Sequence, residues 1–420
     1  MNPYLPIEKY TFGTGDRFAH QAAAQLKALQ KAQEKGLNLG IVWNKSNREH
    51  KTIGSEPSQV RQAGDQAVKA TGWSGAYYFD ADHITFETVD RFVPHCTFFT
   101  MDVADLIGKR ASDQEIQTFL ASASKYIEQP IAIPGLSEPL VISKAQAENA
   151  AAQFLAATQS AGKLYQKIAS QKDPASFVTE VSMDEVDTPQ GPGDLVLILL
   201  ALAQQEIPLQ TIAPRFSGRF NKGVDYVGNV DQFRKEFEAD MLVAAWAAKE
   251  FGLPQTLKLS VHSGSDKFRI YPVIGELLKK HNLGIHVKTA GTTWLEEIIG
   301  LAEAGGTGLQ VAKDVYSQCL SRIDELAGPY ASVIDIDPAK LPTADLVQSW
   351  DSKTFARSVR HDQSDSLYNP SMRQLMHVGY KVAAEMGQRF LSALEEHEEV
   401  IGAQVTENLW DRHIRRMFGV

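Results

Sequence analysis

The stretch SFVTEVSMDE (residues 176–185) alternates between two kinds of side chain with a period of two. In a β-strand, this period places Glu180 and Asp184 on one face and Thr179 and Val181 on the other. If the second face packs against helices, Glu180 points into the interior of the fold. The stretch therefore predicts a strand that carries a carboxylate toward the centre of a closed or covered sheet.

Seven other runs have a similar β-rich composition. In chain order they are KYTFGTGD (9–16), NLGIVWNK (38–45), GAYYFDAD (75–82), HCTFFTMD (95–102), LQTIAPRF (209–216), LKLSVHSG (257–264) and GIHVKTAG (284–291). Helical patterns separate most of them, and eight strands with intervening helices predict an α/β fold of the (β/α)8 TIM-barrel type. A doubly wound open sheet is the alternative that the same pattern allows.

Two segments exceed the length of a minimal barrel. Residues 103–175 predict a helical insertion after the fourth strand, and residues 292–420 predict a helical C-terminal extension. The chain contains no internal repeat and no low-complexity tract. We therefore expect residues 1–420 to form a single elaborated TIM-barrel domain.

The charge balance argues against two classes of partner. The 420 residues include 42 Lys and Arg against 51 Asp and Glu, a formal net charge of −9. Nucleic acids and anionic membranes attract basic surfaces, so neither is expected to bind. The apolar run at residues 195–203 is far shorter than the roughly 20 residues of a membrane span. With two cysteines and no signal-peptide pattern, the protein is expected to be soluble and cytoplasmic.

Polar side chains follow most of the predicted strands, and the active site of a TIM barrel lies at the C-terminal ends of its strands. In YYFDADHI (77–84), the strand period places Asp80 and Asp82 on the inward face, and His83 is expected to start the next loop. Asp82 is thus a candidate catalytic base at the rim of the barrel. An ordinary acidic turn is the alternative for this stretch.

Glu180 is the second candidate for catalysis. A carboxylate inside a barrel is unfavourable unless it is paired or binds a metal ion. The alternative is a buried ion pair between Glu180 and a Lys or Arg of a neighbouring strand. Asp184 and Glu185 follow at the predicted mouth, where solvated loop positions are also possible.

Charged residues around the strand ends are candidates for holding a polar substrate. Arginine binds carboxylates through two parallel hydrogen bonds, and backbone amides in the SGS stretch of residues 263–265 suit an anion. The predicted substrate-binding residues are Asp16, Arg17, Asp184, Arg215, Arg219, Lys267 and Lys288.

Histidines and a carboxylate on different strands predict a divalent metal site. The preferred set is His83, Asp225 and His262, with Glu180 as a possible substitute. Borderline ions such as Zn, Mn, Ni or Co accept mixed imidazole and carboxylate ligands. Open coordination positions would be left for substrate oxygens.

Several common enzyme motifs are absent. No G-x-G-x-x-G follows a strand, and the sequence contains no Walker A, H-E-x-x-H or G-x-S-x-G motif. These absences disfavour a nicotinamide enzyme, a kinase and a serine hydrolase.

Six stretches together resemble the tagaturonate epimerase family of bacterial sugar-acid metabolism. They are FGTGDRF, ADHI, TEVSMDE, APRFSGRFNKGVDYVG, VHSGSDKF and HVKTAGTTWLEE, which span residues 12–297 in order. The resemblance implies a metal-dependent enzyme that interconverts D-tagaturonate and D-fructuronate. Some similar proteins act on the neutral ketohexoses tagatose and fructose. The expected partner is accordingly a small sugar acid or ketohexose, and a homo-oligomer is possible.

The two uronates differ at C4, in ketose numbering, where the hydrogen is not acidic. A base that removes the C4 hydroxyl proton can instead trigger retro-aldol cleavage of C3–C4, and re-addition to the other aldehyde face inverts C4. Asp82 and Glu180 are expected to act as the acid–base pair from opposite sides of the substrate. Deprotonation at C3 with a shifted carbonyl is a second possible route. A metal-dependent aldolase or ketose isomerase, and a non-enzymatic sugar-acid binding protein, remain the alternative functions.

Overall fold

A computed structural model describes residues 4–184, 188–289 and 291–420 and contains a closed barrel of eight parallel strands. The predicted TIM barrel is therefore confirmed, and the open sheet is excluded. The barrel strands, in their order around the barrel, are β1 Tyr10–Gly15, β10 Ile285–Lys288, β9 Lys258–His262, β8 Thr211–Ala213, β7 Val178–Ser182, β4 Phe98–Asp102, β3 Tyr77–Ile84 and β2 Gly40–Ser46. All eight lie within or closely overlap the predicted runs.

Helices surround the barrel and form most of the remaining described chain. The α-helices are α1 Ala22–Glu34, α2 Asn47–Ile53, α3 Pro57–Thr71, α4 Asp113–Ala123, α5 Lys144–Ala169, α6 Pro192–Gln204, α7 Val230–Glu250, α8 Tyr271–His281, α9 Thr292–Ala304, α10 Gly306–Ser321, α11 Ile323–Ala327, α12 Ala344–Gln348, α13 Ser352–Val359, α14 Pro370–Val378, α15 Tyr380–Glu385, α16 Gln388–Glu396, α17 Glu398–Glu407 and α18 Arg415–Phe418. A π-helix, Asn408–Ile414, joins the last two. Short 3-10 turns are Val89–Arg91, Ala104–Leu106, Ser124–Tyr126, Pro174–Ser176, Gly328–Tyr330 and Pro338–Lys340.

The insertion after β4 is helical, as predicted, with one small addition. It contains α4, α5 and a two-stranded antiparallel hairpin of β5 Pro130–Ile131 and β6 Leu140–Val141. Ser112 caps α4 by accepting a hydrogen bond from the Glu115 amide, whose side chain returns the contact in a capping box. α5 packs along α6, so the insertion supplies part of the outer helical layer.

The C-terminal extension is also helical. Its first helix, α9, packs against β1, so the extension begins with the last helix of the barrel itself. Farther along, α17 packs against both α9 and α1. The rest of the extension therefore thickens the helical layer over the junction of the first and last strands.

The lower end of the barrel interior is apolar. Val42, Tyr78, Phe98 and Val178 point inward from four strands and pack with Ile7 of the N-terminal segment. Because side chains alternate along a strand, the next inward positions lie one layer higher, toward the C-terminal strand ends. Those positions are polar and form the site described below. Within the described residues, no helix is long and apolar enough to cross a lipid bilayer.

Candidate active site

A single ammonium group lies at the centre of the polar layer. The Nζ atom of Lys288 lies 2.8 Å from a carboxylate oxygen of Asp80 and 2.8 Å from one of Asp82. It also lies 3.0 Å from Glu180 and donates a hydrogen bond of 2.5 Å to the hydroxyl of Thr100. Burial opposes the charged form, but the three carboxylates raise the pKa of Lys288 well above its ordinary value. Lys288 therefore remains charged and is engaged by acidic side chains, rather than free to bind a substrate carboxylate as predicted.

Gly13 makes room for this arrangement. It pairs with Lys288 across the β1–β10 ladder. A Cβ atom at Gly13 would lie 2.6 Å from Oδ1 of Asn44 and 3.0 Å from Cγ of Lys288. The missing side chain lets the lysine cross the barrel interior, and Asn44 donates a 2.7 Å hydrogen bond to Asp80 beside it.

Glu180 lies inside the barrel, as the alternation of its strand predicts, and its side chain is 0% exposed. It accepts hydrogen bonds from Thr100 at 3.1 Å and from Thr211 at 2.8 Å, and lies 2.9 Å from Nε2 of His262. Although burial favours the protonated form, Lys288 and His262 hold the pKa of Glu180 well below its ordinary value. The buried ion pair considered as the alternative for Glu180 is thus present.

Asp82 on β3 and Glu180 on β7 are separated around the barrel by β4 alone, and both contact the Nζ atom of Lys288. The expectation that they flank a substrate from opposite sides stays a prediction. Asp82 is 6% exposed and stands one layer nearer the mouth than the fully buried Glu180. Burial raises the pKa of Asp82, but Lys288 and His83 outweigh burial and lower it to about 2. Asp82 is therefore ionised at neutral pH.

An irregularity in β3 brings two consecutive side chains to the mouth. The register between β3 and β4 shifts between Ala81 and Ile84, and His83 has a φ of +48°. Such left-handed conformations in non-glycine residues are uncommon and concentrate at functional sites. His83 lies within the strand and not at the start of the loop, which corrects the prediction. The bulge allows His83 to join Asp82 on the inward side.

The two histidines of the predicted metal set lie together. The ring centroids of His83 and His262 are 5.2 Å apart. Nδ1 of His83 lies 3.3 Å from Asp102, and its Nε2 lies 3.8 Å from Asp82. Nδ1 of His262 lies 3.3 Å from Asp184. Glu180 contacts the remaining nitrogen of His262. Four carboxylates, those of Asp82, Asp102, Glu180 and Asp184, thus surround the two imidazoles.

The acidic surroundings control the charge of both imidazoles. Burial favours the neutral rings, but Asp82 and Asp102 raise the pKa of His83 to about 10. For His262, burial is likewise outweighed, chiefly by Asp184, and the pKa rises to about 9. The pKa of Asp184 is lowered despite its burial, mainly by His262. The carboxylates of the site thus outnumber its cations, which are Lys288 and the protonated rings of His83 and His262. Glu185, also expected at the mouth, lies outside the described residues.

Asp225 is not brought to the histidines. Its carboxylate accepts hydrogen bonds from the backbone amides of Tyr226 at 2.7 Å and Arg269 at 3.2 Å. Within the described chain, it forms no hydrogen bond or ion pair with His83 or His262. Asp225, the predicted third ligand, therefore connects the loop after β8 to the loop after β9. The carboxylates that do lie near the histidines are Asp82, Asp102, Glu180 and Asp184.

Lys267 is likewise committed to the backbone. Its Nζ donates to the carbonyl oxygens of Asn221 at 3.1 Å and Val224 at 2.9 Å, and to the hydroxyl of Ser265 at 3.0 Å. Burial lowers the pKa of Lys267 to about 7. The ammonium holds the loop after β8 against the loop after β9, and it does not face the mouth as an anion site.

Asp16 and Arg17 also have internal partners. Asp16 accepts hydrogen bonds from the amides of His20 and Gln21 ahead of α1. The guanidinium of Arg17 lies 2.7 Å from Glu49 and 4.0 Å from the ring centroid of Tyr380. Both residues stabilise the rim of the barrel.

Arg215 and Arg219 differ in their surroundings. Arg219 lies 3.4 Å from Asp335 and is largely exposed. Arg215 follows β8 at the mouth and is half-buried. Across the described ranges, its guanidinium forms no hydrogen bond, ion pair or ring contact. Arg215 is therefore the predicted substrate-binding cation that remains available for an anionic group.

Thr100 and Asp102 are site residues to which no role was assigned from the sequence. Thr100 contacts Asp80, Glu180 and Lys288, and Asp102 contacts His83. The signal was present, because the period of two in FFTMD places both residues on the inward face of β4.

The donor chemistry at the mouth suits a borderline divalent ion. Two imidazoles and several carboxylates lie within contact distance of one another at the barrel mouth, and such ions accept this mixture. Among the described residues, no three His, Cys, Asp or Glu side chains already converge as a metal-binding group. To bind an ion, His83 and His262 would each have to replace a contact with a carboxylate by a bond to the metal.

A parallel barrel with charged acid–base groups at the C-terminal ends of its strands is the architecture of a TIM-barrel enzyme. A profile of the tagaturonate epimerase family matches residues 1–417. The chain belongs to this family, which confirms the resemblance noted from its motifs. It is an isomerase-class enzyme, a carbohydrate epimerase.

Relatives of known identity agree with this assignment. The tagaturonate/fructuronate epimerase of Thermotoga maritima is 27% identical over 434 residues, covering 100% of this chain and 83% of the relative. A glycerol-complexed crystal structure of the fructuronate-tagaturonate epimerase UxaE from Cohnella laeviribosi superposes with a TM-score of 0.80 at 23% identity. Its native structure gives 0.79 at 22%. Each alignment covers 99% of this chain and 82% of the other, and supports the same fold.

Proposed function

We propose that the protein inverts C4 of a hexuronate ketose, converting D-tagaturonate to D-fructuronate, with the help of a divalent metal ion. The observation that carries the proposal is the convergence of Asp82, His83, Glu180, His262 and Lys288 at one mouth. The family assignment and the relatives named above support the substrate.

His83 and His262 are the residues that would hold the ion, together with Asp184, whose carboxylate lies 3.3 Å from Nδ1 of His262. Asp184 replaces Asp225 in this set because Asp225 is bound to backbone amides. The ion, one of Zn, Mn, Ni or Co, would supply Lewis acidity toward the substrate oxygens.

Asp82 acts as the base in this mechanism. Its ionised carboxylate takes the proton of the C4 hydroxyl, C4 becomes an aldehyde, and the C3–C4 electron pair moves onto the C2 carbonyl as an enediolate. The aldehyde then turns its other face, the bond reforms, and the proton returns from Asp82 to the C4 oxygen. Lys288, 2.8 Å from Asp82, balances the charge. Glu180 is assigned a positioning role on His262, because it is fully buried.

Asp82 and Glu180 come from the same part of the barrel wall, which favours the retro-aldol route with its single base over proton exchange at carbon. Inversion by two proton transfers at C4 needs acid–base groups on both faces of the carbon, whereas a rotating aldehyde needs one base. Arg215 is assigned to the substrate carboxylate because its guanidinium lies at the mouth without another partner among the described residues.

The activity test is conversion of tagaturonate by the purified protein, followed by NMR. Fructuronate should form, activity should disappear after thorough chelation, and Mn, Ni, Co or Zn should restore it. Persistent three-carbon fragments would identify an aldolase instead. Binding without turnover would identify a sugar-acid binding protein, and activity that survives chelation would refute the metal.

The route is tested in deuterium oxide. Retro-aldol cleavage breaks no carbon–hydrogen bond, so fructuronate should carry no deuterium at C3 or C4. Deuterium at those carbons would show the alternative route through C3 deprotonation and a shifted carbonyl. The activity of the protein on tagatose and fructose is measured in the same assay, since neutral ketohexoses are further candidate substrates.

A further inference from the structure

A buried carboxylate outside the catalytic cluster connects the barrel to the C-terminal extension. Asp266, in the loop after β9, lies 2.8 Å from Nη2 of Arg373 and 3.1 Å from Nδ1 of His361. It also lies 3.3 Å from His413 and accepts a 3.2 Å hydrogen bond from Thr292. The side chains of Asp266, Arg373, His361 and His413 are all 0% exposed.

Arg373 reaches a second mouth loop at the same time. Its Nε donates a 2.8 Å hydrogen bond to the carbonyl of Gly223, in the loop after β8, and its Nη1 donates to Val359. The two mouth loops are also joined directly, because the amide of Gly223 donates to the hydroxyl of Ser265 at 2.9 Å. Arg373 of the C-terminal extension thus binds both the loop after β8 and the loop after β9.

The chain between Asp266 and His262 is short and held at several points. The amide and hydroxyl of Ser263 donate to the carbonyl of Lys288 at 2.9 and 2.6 Å. The carbonyl of Gly264, which has a φ of +64°, accepts a hydrogen bond from the amide of Gly291. A displacement of Asp266 would therefore move the end of β9 and the backbone that carries Lys288.

We propose that Asp266, held by Arg373, is a positioning residue that sets the location of His262 in the active site. The C-terminal extension accordingly serves catalysis by orienting two mouth loops from outside the site. This inference rests on the proposed role of His262 in the reaction.

The test compares Asp266→Asn and Arg373→Lys with a matched control. Thr406→Ala removes another buried contact of the C-terminal extension, the 2.9 Å hydrogen bond from Thr406 to the carbonyl of Ala24 in α1, and touches neither mouth loop. We expect kcat to fall about 10- to 100-fold in the two test variants, as for groups that orient catalytic ligands, with KM within about threefold of wild type. The control should lose stability and keep its kcat.

A second measurement separates positioning from stability and from the proposed reaction. With 15N-labelled histidine, the imidazole signals of His262 should shift in Asp266→Asn, whereas those of His95, which precedes β4, should stay in place. Unchanged His262 signals together with a kcat within twofold of wild type would overturn the proposal, as would an equal kcat loss in Thr406→Ala.

If wild-type protein does not turn over tagaturonate, the proposed function fails, and the His262 signals alone decide this inference. Should Asp266→Asn not fold, Arg373→Lys and His361→Gln carry the comparison, because each removes only some of the contacts to Asp266.

Discussion

The Nζ atom of Lys288 lies 2.8 Å from Oδ1 of Asp82, and the same ammonium contacts Asp80 and Glu180. One cation therefore compensates three carboxylates that the barrel strands bring together. Buried charges of this kind depend on their partners, because an uncompensated charge in a protein interior is strongly unfavourable.

Replacing Lys288 by Met should destabilise the fold by about 3–5 kcal/mol, the usual cost of removing one partner from a buried ion pair. Urea unfolding provides the measurement. Lys258→Met is the matched control, because Lys258 is a buried lysine at the other end of the barrel that donates to the backbone carbonyl of Lys9. A larger loss in the control would contradict the central role given to Lys288.

Asp82→Asn should lower kcat by about 10²- to 10⁴-fold, the usual contribution of a general base, with little change in KM. Steady-state kinetics on tagaturonate is the assay. Glu87→Gln alters an exposed carboxylate shortly after the same strand and should leave kcat unchanged. Activity within tenfold of wild type in Asp82→Asn would remove Asp82 from the mechanism.

His83→Asn should abolish high-affinity metal binding while leaving the barrel folded. Asn tolerates the left-handed backbone conformation of residue 83, so the substitution removes the imidazole without adding strain. Calorimetric titration with Zn or Mn should show a loss greater than the roughly 100-fold typical of outer-shell changes. His95→Asn, on a half-buried histidine ahead of β4, should bind metal as wild type does; equal affinity in both variants would exclude His83 as a ligand.

Arg215→Met should weaken the reaction with uronates more than with neutral ketohexoses. Loss of a charged hydrogen bond costs about 1.5–3 kcal/mol, so kcat/KM on tagaturonate should fall about 10- to 150-fold. Arg219→Met serves as the control, since Arg219 faces Asp335. A uniform loss on tagaturonate and tagatose would argue against recognition of the carboxylate by Arg215.

Asp240→Asn should stabilise the protein increasingly as the pH rises. Asp240 in α7 is buried, and neither of its oxygens has a hydrogen-bond partner among the described residues. Burial, reinforced by Glu236 and Asp194, raises its pKa well above the ordinary value. A raised folded-state pKa contributes stability that is complete below the unfolded-state pKa and is lost as the pH rises through the folded-state pKa.

The isosteric amide of the Asp240→Asn variant does not titrate and has no such dependence. The free-energy difference between variant and wild type should grow by about 1.4 kcal/mol per pH unit between the two pKa values. Urea unfolding at pH 5, 6.5 and 8 measures it. A difference that stays constant over this range would mean that Asp240 is ionised in the folded protein.

Alternation and strand counting predicted the barrel and the direction of its inward carboxylates. Glu180 was expected inside because Val181 and Thr179 suit the opposite face, and the structure places it there. The convergence of His83 and His262 also followed from their places at strand ends, since parallel strands of a barrel share one mouth. Their metal-binding role stays a prediction.

Loop side chains were less predictable because their partners are distant in sequence. Lys267 donates to the carbonyls of Val224 and Asn221, which lie 43 and 46 positions earlier in the chain. No local sequence pattern indicates these contacts. His83 points inward because of a bulge in β3. Strict alternation of side chains, on which the prediction relied, places residue 83 on the outward face. A side chain at residue 13 would crowd Asn44 and Lys288, and nothing in the local pattern of β1 indicates that close approach.

The contacts of Asp266 also have a consequence for the order of folding. Its partners His361 and Arg373 are 95 and 107 positions later in the chain. At 5–20 residues per second, a ribosome needs about 5–20 seconds to add the second of them. Proteolysis of ribosome-bound chains that stop near residue 330 should find the loop after β9 open. During synthesis the barrel strands are thus complete well before the active site can be.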